Sequence, residues 1–380
     1  MICWPGKSYG VVVENKEHGG SLVKKIVLTG GGSTGHVSLN LALIPLLKEH
    51  GWDIFYIGSS TGIERNLIEK IPYVTYHAIS TGKLRRYFDI KNFLDPLKVG
   101  LGVIQSQKLI RDIKPDIVFS KGGFVSVPVI LAAWINRVPI ISHESDMNLG
   151  LASKIALPFS KKMCFTFPET GKHIPDDKEL FLGPVIRAQI KNGSRKKGLE
   201  LCGFDDKKPV ILVMGGSLGA QKINDTVRNC LSDLLRNYQI IHLCGKGKAD
   251  SSIQMKGYKQ FEYVDDELAD LYAATDLIIS RAGSNSIFEF LALKIPMILI
   301  PLPLSSSRGD QILNAQSFEK QGFCEVLDEE DLTVQLLTEK INGMYSRKYD
   351  YKKNMSDNNP GDGLMKLYDM IEKVSVSKKG

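Results

Sequence analysis

The sequence predicts two doubly wound parallel α/β domains in tandem. Three observations carry this. A strand, a glycine turn and a helix follow one another twice, with roughly half the chain between the two occurrences. The remaining apolar runs are short, continuous and separated by helical stretches, the pattern of parallel strands buried on both faces. The length of 380 residues accommodates two domains of ordinary size.

The first occurrence opens with the apolar run Lys25-Ile26-Val27-Leu28-Thr29 and turns through Gly30-Gly31-Gly32-Ser33-Thr34-Gly35-His36. A helix follows over residues 37–50, where Leu39, Leu43, Leu46 and Leu47 share one face and Gly51 supplies the C-cap. The second occurrence is Val210-Ile211-Leu212-Val213-Met214, then Gly215-Gly216-Ser217-Leu218-Gly219-Ala220, then a helix from about Gln221. Further strands are expected at residues 54–57, 117–119, 140–142 and 163–167 in the first half, and at 240–243, 277–280 and 297–300 in the second. Residues 187–209 are polar and basic and read as an interdomain connection or a peripheral helix. Leu364, Leu367, Met370 and Ile371 lie at helical spacing and mark a packed terminal helix. The expected division is a disordered extension over 1–23, domains over 24–187 and 188–355, and a C-terminal helix and tail over 356–380.

Hydrophobic residues make up 43% of the chain and charged residues 24%, which fits a globular protein. The net charge of +7 suits an anionic ligand or membrane surface. Cys3, Cys164, Cys202, Cys230, Cys244 and Cys324 are scattered, so neither a disulfide framework nor a zinc site is expected, and a reducing compartment fits. The most apolar long stretch, residues 125–141, is interrupted by Pro128, Asn136, Arg137 and Pro139 and is too short to span a bilayer. Residues 1–23 lack the charged start and apolar run of a signal peptide, and the natural start is expected near Val23.

Glycine turns between strand and helix let backbone approach a ligand and present helix N-terminal amides to an anion. Either turn alone also fits a tight connection with no ligand; two, each heading a domain, are more specific. Neither is followed by Gly-Lys-Ser/Thr, so neither is a Walker A loop. His36 closes the first turn, where an imidazole suits a general base, a diphosphate contact or a helix cap. His143 and Glu144 end a strand, at the edge of the sheet where α/β sites lie, and suit either an acceptor hydroxyl or a structural pair. Residues 280–289 follow another strand and open a helix at about Ser284, with Glu289 within the second turn, placed for a cis-diol or for the surface. Basic and apolar residues interleave over 81–111, among them Lys83, Leu84, Arg85, Arg86, Phe88 and Phe93. This suits adsorption to anionic lipid, or an amphipathic helix facing its own core. No nucleic-acid module accompanies the charge, so nucleic acid is not an expected partner.

These motifs in this order resemble the MurG family of bacterial peptidoglycan N-acetylglucosaminyltransferases, in glycosyltransferase family 28. The landmarks are the first glycine turn, Lys121-Gly122-Gly123-Phe124-Val125-Ser126-Val127-Pro128, His143-Glu144, residues 183–187, 214–220 and 280–289, and Asp310-Gln311-Ile312-Leu313-Asn314. They extend from Lys24 to about Tyr368. Asp146 stands where the family has an amide and Leu218 where glutamine is common, departures that resemble a low-GC Gram-positive subgroup.

The resemblance implies the glycosyltransferase-B fold, two Rossmann-like domains across a cleft. It implies inverting transfer of N-acetylglucosamine from UDP-N-acetylglucosamine to the C4 hydroxyl of the acceptor in undecaprenyl-linked lipid I, giving lipid II. The second domain would hold the donor through Arg187, Ser217, Gly283, Ser284, Glu289 and Gln311, with uracil near Val264 and Leu268. Gly31, Gly32, Ser33, Thr34 and Gly35 would face the acceptor diphosphate. His36 is the first candidate base and Glu144 the second. No metal or other cofactor is expected, because helix ends and loop amides can meet the charge of the leaving diphosphate. The protein would lie peripherally on the anionic cytoplasmic leaflet of the cell membrane. A diacylglycerol glucosyltransferase and a UDP-N-acetylglucosamine 2-epimerase share the architecture and remain alternatives.

Overall fold

The computed structural model describes residues 23–82, 91–216, 219–356 and 362–376, with only the backbone for residues 91–96 and 188. The first unit comprises β1 (Lys25–Thr29), α1 (Ser38–Glu49), β2 (Asp53–Ser59), α2 (Ile63–Ile68), β3 (Val74–Ile79), α3 (Lys91–Ile113), β4 (Ile117–Ser120), α4 (Ser126–Ile135), β5 (Ile140–Glu144), α5 (Leu151–Ala156), β6 (Lys162–Phe165) and β7 (Glu179–Phe181). The second comprises α6 (Arg195–Cys202), β8 (Val210–Met214), α7 (Gln221–Asn229), α8 (Leu231–Asn237), β9 (Gln239–Leu243), β10 (Tyr258–Phe261), α9 (Leu268–Ala274), β11 (Leu277–Ser280), α10 (Ser284–Ala292), β12 (Met297–Leu299), α11 (Asp310–Lys320), β13 (Cys324–Val326), α12 (Val334–Ser346) and α13 (Lys348–Ser356). Helix α14 (Gly363–Val376) ends the described chain.

Each unit has one parallel sheet, ordered β3-β2-β1-β4-β5-β6-β7 in the first and β10-β9-β8-β11-β12-β13 in the second. The order reverses beside β1 and again beside β8, so each sheet has a topological switch point where its glycine turn begins. Both faces are buried. Along β1, Ile26 and Leu28 pack with α1, while Val27 packs with Ile110 of α3 and Val129 of α4.

Helix α14 returns to the first unit. Leu367 and Ile371 are fully buried against Ile26, Leu28 and Leu43. Trp52 Nε1 donates to Glu372 Oε1 at 2.9 Å, and Lys24 pairs with the same carboxylate. Burying those two aliphatic side chains contributes about 1.5–3 kcal/mol each, which fastens the end of the chain to the sheet that began it. The described cysteines are separate and buried. No described helix is long and apolar enough to cross a membrane.

Candidate functional site

The turn after β1 is fixed from beneath by Glu64 of α2, which is fully buried. Its carboxylate accepts the Gly32 N–H at 3.1 Å and the Ser59 N–H at 3.0 Å, and bonds the Ser59 hydroxyl. Gly31 lies against this carboxyl group: a Cβ there would sit 2.4 Å from Glu64 Cδ. The next turn, after β4, presses on the first, because a Cβ on Gly123 would meet the Gly31 carbonyl oxygen at 2.3 Å and His36 Cδ2 at 3.0 Å. Gly123 also has φ of +80°, a left-handed backbone that glycine adopts without steric cost.

His36 ends the short turn Thr34–His36, half-buried, with Nδ1 sealed from solvent and without a hydrogen-bond partner. Burial, with the Lys121 ammonium adding to it, lowers its pKa from 6.5 to about 4, so the imidazole is neutral and able to accept a proton at pH 7. Lys121 itself is buried, its Nζ has no partner, and desolvation lowers its pKa to about 8.

Glu144, at the end of β5, is committed to the main chain. Oε1 accepts the N–H groups of Ser145 at 2.8 Å and Asp146 at 3.1 Å, and Oε2 accepts that of Gly150 at 2.9 Å. Burial and the Asp146 charge raise its pKa, against the pull of the Gly150 and Asp146 amides. His143 points elsewhere. It is buried beside Thr166 and lines a small internal cavity behind the cleft, and burial drives its pKa well below the ordinary histidine value.

In the second unit, α10 begins after Gly283 with no side-chain cap on its first N–H groups, leaving a helix N-terminus for an anion. Arg187, on the connection between units, holds Glu289 of α10 in a bidentate pair, Nε to Oε1 at 2.7 Å and Nη2 to Oε2 at 3.1 Å. The Tyr272 hydroxyl lies 3.4 Å from Oε2. Gln311 Oε1 accepts the Leu302 N–H at 3.0 Å, shaping the loop after β12. Arg281, beside the same loop, donates to the carbonyls of Ile300 at 3.1 Å and Pro301 at 3.0 Å and pairs with Glu329.

These turns open into one cleft of about 1120 Å³ between the units. That exceeds the usual range for a single small ligand, roughly 300–1,000 Å³, and leaves room for parts of two substrates. Gly31 to His36 and Glu144 border it from the first unit; Arg187 borders it from the connection, and Gly283, Ser284, Glu289 and Gln311 from the second. Val264 and Leu268 line the same cleft. Polar contacts cross between the units, among them Asn285 Nδ2 to the Gly35 carbonyl at 3.2 Å and to Ser38 Oγ at 3.0 Å.

Residues 26–165 match the glycosyltransferase family 28 N-terminal domain, and residues 210–374 match the family's C-terminal domain. A UDP-N-acetylglucosamine–N-acetylmuramyl-(pentapeptide) pyrophosphoryl-undecaprenol N-acetylglucosamine transferase of Geobacillus thermodenitrificans is 58% identical over 353 residues, covering 93% of this chain and 99% of that protein. A protein of the same description from Clostridium novyi is 55% identical, covering 92% of this chain and 98% of its own. The chain belongs to glycosyltransferase family 28. The family-28 chain also shares its fold with the crystal structure of Acinetobacter baumannii MurG, at a TM-score of 0.72 and 22% identity over 92% of this chain and 99% of that one. The two facing parallel-sheet units are thus the glycosyltransferase-B arrangement that the motifs implied.

Some site expectations change in this family-28 structure. Glu144 has both oxygens on main-chain donors, so it braces the loop over 144–150. The Gly32 N–H is directed at Glu64, while the turn Thr34–His36 has no side-chain cap. Glu289 was expected as a carboxylate free for a diol; it instead arrives already oriented by Arg187, with lone pairs remaining for hydroxyl donors. Ser217 and the patch residues Lys83, Leu84, Arg85, Arg86 and Phe88 lie outside the described residues, as does the side chain of Phe93. Glu64 and Asn314 went unread because their partners are remote in sequence or on the main chain. A carboxylate just inside a helix that follows a glycine-bounded strand was the one available signal for Glu64.

Proposed function

We propose that the protein transfers N-acetylglucosamine from UDP-N-acetylglucosamine to the C4 hydroxyl of the muramyl sugar of lipid I, forming lipid II. The observation that carries this is the convergence of both switch-point turns, the bare N-terminus of α10 and the Arg187–Glu289 pair on one cleft. Glu289 would take the ribose hydroxyls, and the amides at Gly283 and Ser284 the diphosphate. The acceptor oxygen attacks C1 of the sugar from the face opposite the leaving group. The bond from C1 to the phosphate oxygen breaks, configuration inverts, UDP departs with the bonding pair, and the hydroxyl proton passes to the His36 imidazole. An acceptor diphosphate at Thr34 and Gly35 would strengthen His36 as a base by adding negative charge beside it. The leaving charge is met by helix-end amides and Arg187, so the chemistry requires no metal.

The acceptor's lipid would keep the enzyme at the anionic cytoplasmic leaflet, held peripherally. Leu97, Leu101 and Ile104 form an exposed apolar stripe on α3, with Lys108 and Arg111 exposed farther along the helix. That composition suits a membrane surface.

The test is product analysis with labelled UDP-N-acetylglucosamine, with and without a lipid I analogue, in excess EDTA. Label entering the lipid fraction supports the proposal. Epimerised sugar formed without acceptor would assign an isomerase instead, and dependence on added divalent cation would refute the metal-free chemistry.

A further inference from the structure

Asn314 of α11 is fully buried, yet it lies where the two units meet. Its Nδ2 donates to Asp146 Oδ1 at 3.1 Å, on the loop after β5, and to the Ala282 carbonyl at 3.2 Å, in the turn leading to α10. Its Oδ1 accepts the Met147 N–H at 3.3 Å. Both amide hydrogens and the carbonyl are therefore used, and flipping the amide would set its oxygen against two acceptors. Asp146 borders the cleft, and its own N–H is held by Glu144. One turn before Asn314, Gln311 shapes the loop after β12. A single side chain thus touches the loop after β5 in the first unit and the turn leading to α10 in the second. Ser317, one turn farther along α11, adds a weaker link to Glu169 at 3.3 Å.

We propose that Asn314 is a positioning residue that locks the Asp146 loop of the acceptor side to the Ala282 turn of the donor side, so that the two substrates meet in register. This rests on the transfer reaction proposed above. Three hydrogen bonds from one buried amide restrict how the two loops can move relative to each other, and the reaction needs the attacking oxygen in line with C1. Arg187 and Glu289, proposed to hold the donor, do not bond Asn314; the Ala282 carbonyl that Asn314 holds shares a peptide group with the Gly283 N–H. Losing the lock should therefore slow transfer much more than it weakens donor binding.

The experiment compares wild type, Asn314→Ala, Asn314→Asp, and the exchange variant Asp146→Asn/Asn314→Asp. Transfer kcat is read with a lipid I analogue, UDP-N-acetylglucosamine affinity is read by equilibrium displacement, and melting temperature is read alongside. Asn314→Ala and Asn314→Asp should lose about tenfold to a hundredfold in kcat, the worth of one charge-assisted bond, with donor affinity within about threefold. The exchange variant restores a donor–acceptor pair between positions 146 and 314 but leaves a carboxylate oxygen facing the Ala282 carbonyl, so it should recover part of the Asn314→Asp loss. An Asn314→Ala enzyme within about twofold of wild type in kcat overturns the proposal, as does parallel loss of kcat and donor affinity with no recovery on exchange. If the alanine variant does not fold, Asn314→Ser supplies the same comparison. A wild-type protein that transfers no sugar would refute the underlying reaction instead, which separates the two failures.

Discussion

Replacing Glu64 should loosen the first glycine turn and leave the donor side untouched. In Glu64→Ala, the N–H groups of Gly32 and Ser59 lose their acceptor at a fully buried position. Each orphaned donor costs about 1–3 kcal/mol, so the substitution should destabilise the first unit by about 2–6 kcal/mol. At roughly 2–4 °C per kcal/mol for a unit of this size, the unit should melt roughly 4–24 °C lower. Glu64→Gln keeps the volume but turns an NH₂ group toward one donor, and should lose about half as much. Tryptophan fluorescence isolates the effect, because Trp4, Trp52 and Trp134 all precede the second unit, and Trp52 is buried against α14. Transfer should fall with the melting temperature, while UDP-N-acetylglucosamine still binds with wild-type affinity. A Glu64→Ala protein that melts within about 1 °C of wild type and transfers normally would refute the assignment of Glu64 as the brace of the turn.

His36→Ala should lower transfer by about 10²–10⁴, the usual worth of a general base, with donor affinity within about twofold; isothermal titration with an activity assay checks both. Because burial and Lys121 hold the His36 pKa near 4 in the free enzyme, kcat/KM should stay flat from pH 7 down to about 5.5, where an ordinary histidine would already be protonated. Lys121→Met removes the nearby cation, so the acid limb of that profile should move to higher pH; an unmoved limb excludes the coupling. Glu289→Gln should weaken donor binding about tenfold to a hundredfold, since it removes the charge that receives both Arg187 and the ribose hydroxyls.

The parts of the fold that could be read from sequence were those whose chemistry is local. β1, β4, β8 and β11 are central strands, and their unbroken apolar runs reflect burial on both faces. The edge strands β3, β7, β10 and β13 were not picked out. Val74-Thr75-Tyr76-His77-Ala78-Ile79 and Tyr258-Lys259-Gln260-Phe261 carry polar residues because one edge meets solvent. The terminal helix was legible from the spacing of Leu364, Leu367, Met370 and Ile371, but its docking onto β1 and α1 depends on contacts more than 300 residues away in sequence, such as Glu372 with Trp52 (|i−j| = 320).

The site divides in the same way. Glycine turns and helix starts announce themselves, since their backbone demands restrict residue type. The supports beneath them do not. Glu64 lies 32 residues from Gly32, and Asn314 lies 168 from Asp146. Asp146 shows what this separation hides: from sequence it was a departure from a family pattern, and in the fold it is the acceptor for an amide from the other unit.

The most direct measurement is a crystal structure with UDP-N-acetylglucosamine bound. The diphosphate should lie within hydrogen-bonding distance of the Gly283 and Ser284 amides, the ribose against Glu289, and C1 of the sugar turned toward His36 and the first glycine turn. A nucleotide seated on the first unit, or a sugar directed away from the facing turn, would contradict transfer across this cleft.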